Sequence, residues 1–126
     1  MINGIKPIVG NTTKTEKTAT KNGLSFDEAM DSLLLQIQVA YDNWGNRGGK
    51  TLDLSLKPGR KFIKVVEGTR VWGFVAKVDG THKGLPMLKG DILKAATWHA
   101  PAKHSRGSIF DAEIHKSFSW TGPNYL

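Results

Sequence analysis

The chain has 126 residues and a formal net charge of +7, from 18 Lys and Arg against 11 Asp and Glu, and it has no cysteine. That length fits one domain that buries a single core without cross-links, and the missing thiols exclude a disulfide framework, thiol chemistry and a cysteine-based zinc site. No apolar run approaches the roughly 20 residues that span a bilayer, and Met1–Pro7 lacks the apolar stretch of a signal peptide, so a cytosolic protein without membrane contact is expected.

The charge is unevenly spread. Residues 1–23 carry four lysines and one glutamate, and residues 24–46 carry four acids and no base. Residues 47–106 carry thirteen bases and four acids. A basic surface attracts phosphate polyanions through counterion release. Net charge also keeps a small protein soluble, which is the plainer reading of the same numbers.

Taken in chain order, residues 10–23 are rich in Thr and Lys and hold no large apolar side chain. Such a stretch buries too little surface to offset its ordering entropy, so residues 1–23 read as a flexible basic arm. Upstream, Ile2, Ile5, Ile8 and Val9 could dock as a short strand. Residues 24–126 read as the single domain.

Residues 25–44 form the clearest element. Phe26, Ala29, Met30, Leu33, Leu34, Ile37, Ala40, Tyr41 and Trp44 recur at helical spacing. Ser25 fits an N-cap and Glu28 completes a capping box. Asp27, Glu28 and Asp31 suit the positive end of the helix dipole, and Gly45 is a natural stop. Leu33, Leu34 and Ile37 are expected in the core. Leu35 and Val39 fall off the main stripe and are candidates for a homo-oligomer interface, or simply for its edge.

After the turn at residues 45–50 the period changes to two. Residues 62–66 and 71–78 read as a hairpin closed by Glu67-Gly68-Thr69-Arg70. Residues 79–86 read as a loop, residues 91–98 as a third strand, and residues 51–56 as a further edge strand. Residues 99–126, with Pro101, Gly107, Gly122 and Pro123, read as irregular. The expected class is α+β: one amphipathic helix packed on a small antiparallel sheet of three to four strands.

No Gly-x-Ser-x-Gly elbow, phosphate-binding loop or dinucleotide fingerprint is present. His82, His99, His104 and His115 show no helical metal-ligand spacing and no accompanying carboxylates, so no metal or cofactor is expected. A His pair with Arg106 could cleave RNA by acid–base chemistry, but such triplets are common in basic proteins and the chain reads as non-catalytic.

The stretch from Trp98 to Gly107, read as a loop over residues 99–107, gathers His99, Lys103, His104, Ser105 and Arg106 around a Pro and a Gly. Turn amides with these side chains could hold a phosphate, and arginine offers a fork matched to its oxygens. An ordinary solvated loop would look the same. Phe62, Lys64 and Val66 share one strand face, Trp72 and Phe74 another, and Ile92, Lys94, Ala96 and Trp98 a third. If these faces coincide, Lys64 and Lys94 would meet a nucleic-acid backbone while Trp98 stacks on a base. The alternative puts Trp72, Phe74 and Trp98 in the core.

Residues 62–110 also resemble a known group. The carrying strings are Phe62–Val66, Val71–Val75, Gly90–Trp98 and, above all, Ala100–Ile109. They are similar to small uncharacterised proteins encoded by tailed bacteriophages and related environmental viruses. The resemblance implies a viral origin, a compact β-rich unit, and a place in the cytoplasm of an infected host cell or in the virion. It supplies no catalytic residues.

Together these readings point to a small, non-catalytic viral protein that holds DNA or RNA with low sequence selectivity. Its expected contacts are Lys64, Lys94, Trp98, Lys103, His104, Ser105 and Arg106. The alternative is a structural protein that self-assembles through Leu35 and Val39 or binds a host protein, its acidic helix complementing a basic body.

Overall fold

The computed structural model describes residues 21–45 and 48–124. A single long helix, α1 (Phe26–Gly45), starts where the capping box puts it. The Ser25 hydroxyl accepts from the Glu28 amide at 3.2 Å, and the Glu28 carboxylate accepts from the Ser25 amide at 3.0 Å. Ala29, Met30, Leu33 and Ile37 are buried, while Leu34 is only half-buried at the stripe's edge. Gln38 clamps the helix to the chain beyond it, donating to the Lys50 carbonyl at 3.0 Å and accepting from the Leu52 amide at 2.7 Å. No helix of the described residues is long and apolar enough to cross a membrane.

Among the described residues nine strands follow: β1 (Leu54–Pro58), β2 (Phe62–Glu67), β3 (Arg70–Ala76), β4 (Gly80–His82), β5 (Leu85–Met87), β6 (Asp91–Ala95), β7 (Pro101–Ser108), β8 (Phe118–Ser119) and β9 (Gly122–Pro123). The main sheet has the order β1-β2-β3-β6-β7 with every pair antiparallel. The protein is therefore α+β, with five strands in its sheet where three or four were expected. The fifth is β7, from a stretch that reads as loop. It is an edge strand whose pairing with β6 shifts register at two places, so no clean alternation marks it. β4 and β5 form a small separate hairpin where a loop was expected. Its two-residue turn puts both Lys83 (φ 51°) and Gly84 (φ 83°) in the left-handed region, as tight hairpin turns require. β6 stops three residues before Trp98 because the Thr97 hydroxyl accepts from the His99 and Ala100 amides and turns the chain.

The sheet has two unlike faces. On the first, Ile63, Val65, Val75 and Ile92 pack against Ala29, Met30, Leu33 and Ile37 of α1. The ladder between β2 and β3 skips Trp72, pairing Val65 with Gly73 and Val66 with Val71. This bulge breaks the alternation and turns the indole into the same core, edge-on to Phe118 with centroids 5.3 Å apart. The last segment seals that face: a 3-10 turn (Ile114–Ser117) leads into the β8–β9 hairpin, and the Ser119 carbonyl accepts from the Trp72 indole at 3.0 Å. Residues 99–126 are thus more structured than the irregular segment expected. On the second face a smaller cluster of Ala76, Met87 and Leu93, with Phe62 beside it, lies under the β4–β5 hairpin.

The arm expected over residues 1–23 lies outside the described residues except for its last three. Of these, Lys21 forms a bridge to Asp111, and Asn22 donates to the Phe110 and Ile109 carbonyls.

Candidate functional site

Residues directly opposite one another in a sheet share a face. The register runs Lys57–Lys64–Phe74–Leu93–Ser105 across all five strands, on the face turned away from the helix. Two lysines therefore stand side by side at the β1 end of that face, next to an aromatic ring. The turn joining β1 to β2 brings two more cations. The Gly59 amide donates to the Phe62 carbonyl at 2.8 Å, and the Lys77 ammonium donates to the Gly59 carbonyl at 2.8 Å. That pinned turn carries Arg60 and Lys61. The connection from β6 to β7 forms the facing wall with His99 and Pro101.

The result is an open cleft of about 330 Å³ whose lining includes Lys57, Arg60, Lys61, Lys64 and His99, with Phe62, Phe74 and Pro101 as apolar walls. No carboxylate lines it. Among the described residues the ion pairs are Arg70 with Glu67 and Lys116 with Glu113, both elsewhere. Trp98 stands at the rim, 42% exposed, with the Lys64 ammonium over its ring at 4.5 Å from the centroid. Four cations facing an apolar wall with no internal counter-charge focus a positive potential into the cleft. Such a site can hold an anion. Among the described residues no group of three or more His, Cys, Asp or Glu is placed to hold a metal ion.

The residues expected from sequence divide between two places. Lys64 and Trp98 come together at the cleft. Lys94 does not join them: Leu93, not Lys94, stands opposite Phe74 in Lys64's row, so Lys94 points to the helix face. There its ammonium donates to the Pro123 carbonyl, and burial, with Arg106 nearby, holds its pKa below the usual lysine value. The supposition that these strand faces coincide is therefore corrected. Arg106 donates to the Asn124 and His104 carbonyls, which ties it to the C-terminal segment. Ser105 closes a local ring with Gly107, donating to its carbonyl and accepting from its amide. Lys103 and His104 are exposed on β7. Residues 99–107 thus become a turn and a strand rather than a phosphate-cradling loop. Of the three aromatics weighed for stacking, Trp72 and Phe74 are buried and Trp98 is substantially exposed. Sequence reading missed Lys57, Arg60 and Lys61. The signal was present in Lys57-Pro58-Gly59-Arg60-Lys61, a turn dipeptide flanked by three cations.

Leu35 and Val39 are 66% and 47% exposed. They line a second, mainly apolar groove of about 400 Å³ with Ala40, Ala112, His115 and Phe118, on the outer flank of α1.

In comparisons with known proteins, a family model described as a family of unknown function (DUF7717) matches residues 11–126. No curated protein and no solved structure matches the chain.

Proposed function

The chain belongs to the DUF7717 family of unknown function, and from that premise we propose that it is a small, non-catalytic module that binds nucleic acid through the cleft on the helix-free face of its sheet. The observation that carries this reading is the convergence of Lys57, Arg60, Lys61 and Lys64 on one concave surface, with no carboxylate in its lining. Like charges repel one another, and a cluster without internal neutralisation is relieved by a polyanion. The contacts are cationic rather than base-reading, so sequence selectivity is low. The resemblance of residues 62–110 to phage-encoded proteins makes viral nucleic acid the first ligand to try.

The test is a titration of the full chain with DNA and RNA over a salt series, repeated with Lys57→Ala and Lys61→Ala together. Losing two phosphate contacts should weaken binding and flatten the salt slope by roughly 1.4 to 1.8. Lys116, exposed and paired with Glu113 in the 3-10 turn outside the cleft, serves as a control whose replacement by alanine changes little. No binding at low salt, or a double variant that binds as well as the parent, would refute the proposal.

A second reading is supported by the Leu35–Val39 groove. Large apolar side chains left open along one flank of a helix suit a protein contact, with a second copy or with a host protein.

A further inference from the structure

We infer that the cleft takes single-stranded rather than duplex nucleic acid, with an unpaired base stacked on Trp98 and the neighbouring phosphate among Lys57, Arg60, Lys61 and Lys64. This rests on the nucleic-acid reading above and narrows it to one strand form.

Three observations carry it. First, the two tryptophans of the central strands and their connection are treated oppositely by the fold. Trp72 is buried to 2% exposure, whereas Trp98 lies on a turn at 42% and adds nothing to either core cluster. Its ring is held by the Lys64 ammonium, and its uncovered surface offers a stacking platform. In a duplex every base has both faces covered by its neighbours, so only an unpaired base can use such a platform. Second, the cleft is concave and small. At about 330 Å³ it lies at the low end of small-ligand sites, roughly 300–1,000 Å³, which suits one sugar–phosphate unit and not two strands. Third, the element that most often reads a duplex is a helix in the major groove. Here α1 carries Asp27, Glu28, Asp31 and Asp42 and no base, so duplex phosphates repel it. It also packs on the opposite face of the sheet from the cleft.

The geometry divides the work between charge and stacking, and the two have different signatures. Lysine contacts set the salt slope. A stacked base contributes affinity with little dependence on salt, on the order of tenfold or more for one tryptophan.

The experiment uses the full chain, a short fluorescent homopyrimidine DNA strand, and the same strand annealed to its complement. Trp98→Ala and Trp98→Phe are compared with the parent, with thermal melts as the check that each variant is folded. The expected result is tighter binding of the single strand than of the duplex. Trp98→Ala should weaken single-strand binding about tenfold while leaving its salt slope and the duplex affinity unchanged. Trp98→Phe should restore most of the loss, since the ring remains. Equal binding of both forms with no effect of Trp98→Ala would overturn the inference. In that case continued sensitivity to Lys57→Ala with Lys61→Ala would leave the broader nucleic-acid reading standing. Failure of the parent to bind either form would sink both.

Discussion

At Gly73 in β3 a Cβ atom would lie 2.9 Å from the Leu93 carbonyl oxygen and 3.2 Å from the Pro123 ring. The bare backbone there lets the β8–β9 hairpin close over the sheet next to the Trp72 bulge. Gly73→Ala should destabilise the fold by about 1–3 kcal/mol, as overpacking does, and a urea midpoint measures it. Asp91 shows a different constraint. Its carboxylate accepts from the Leu88 amide at 3.0 Å. Burial pushes its pKa up, the Leu88 bond pulls it down, and the Asp79 charge pushes it up again, for a net rise. A carboxyl whose pKa is raised by folding contributes stability below its unfolded value and loses that contribution as pH rises through the folded value. Asp91→Asn keeps an acceptor for Leu88 and removes the charge beside Asp79. The variant should therefore gain stability relative to the parent on going from acid to neutral pH, read from denaturation midpoints across that range. A difference flat with pH would mean that the carboxyl ionises as easily folded as unfolded.

The elements differ in how far each stands alone. α1 is set by local chemistry: a reciprocal cap at Ser25 and Glu28, acids in its first turn, and a glycine at its end with φ +138°. Ser25→Ala should cost about 1 kcal/mol by thermal or urea unfolding, because the Glu28 amide loses its acceptor. The cap hydrogen bonds also hold the Glu28 carboxyl below its usual pKa, so its contribution is present at neutral pH and is lost as pH falls through the folded value. β2 and β3 were legible as short runs rich in β-branched and aromatic residues joined by the Glu67-Gly68-Thr69-Arg70 turn. β7 was not. It sits at the edge, its Lys103 and His104 face solvent, and its register slips twice against β6. What makes it a strand is the unpaired edge of β6 beside it, a property of the partner and not of its own residues.

Across the described residues, the two signs of charge lie on opposite faces of the sheet. The sheet lies between an acidic helix on one face and a cationic cleft on the other, and the exposed Leu35 and Val39 lie on the helix side. Self-association through that groove would leave the clefts pointing outward and multiply the cationic patches on one particle, raising avidity for a long polyanion. Light scattering should then report a species larger than one chain for the parent, and Leu35→Lys with Val39→Lys should return it to the monomer mass. A parent that stays monomeric at high concentration removes self-assembly from consideration. An oligomer indifferent to the double variant places the contact on another surface.

The sequence by itself determined the α+β class, the helix and its capping box, the central hairpin, and the basic character of residues 47–106. Each of these is written in local periodicity, in caps a few residues apart, or in charge. Only the tertiary structure decided which cations meet in one cleft. Lys64 and Lys94 look equivalent along the chain, yet cross-strand register sends one to the cleft and the other beneath the C-terminal segment. Arg106 looks like a phosphate fork, yet its guanidinium is taken up by backbone carbonyls, one of them 18 residues away. Lys57, Arg60 and Lys61 line one cleft because a turn folds them towards a wall built from residues some forty positions later in sequence. Register and long-range closure depend on how whole elements pack, and no short window of residues carries that information.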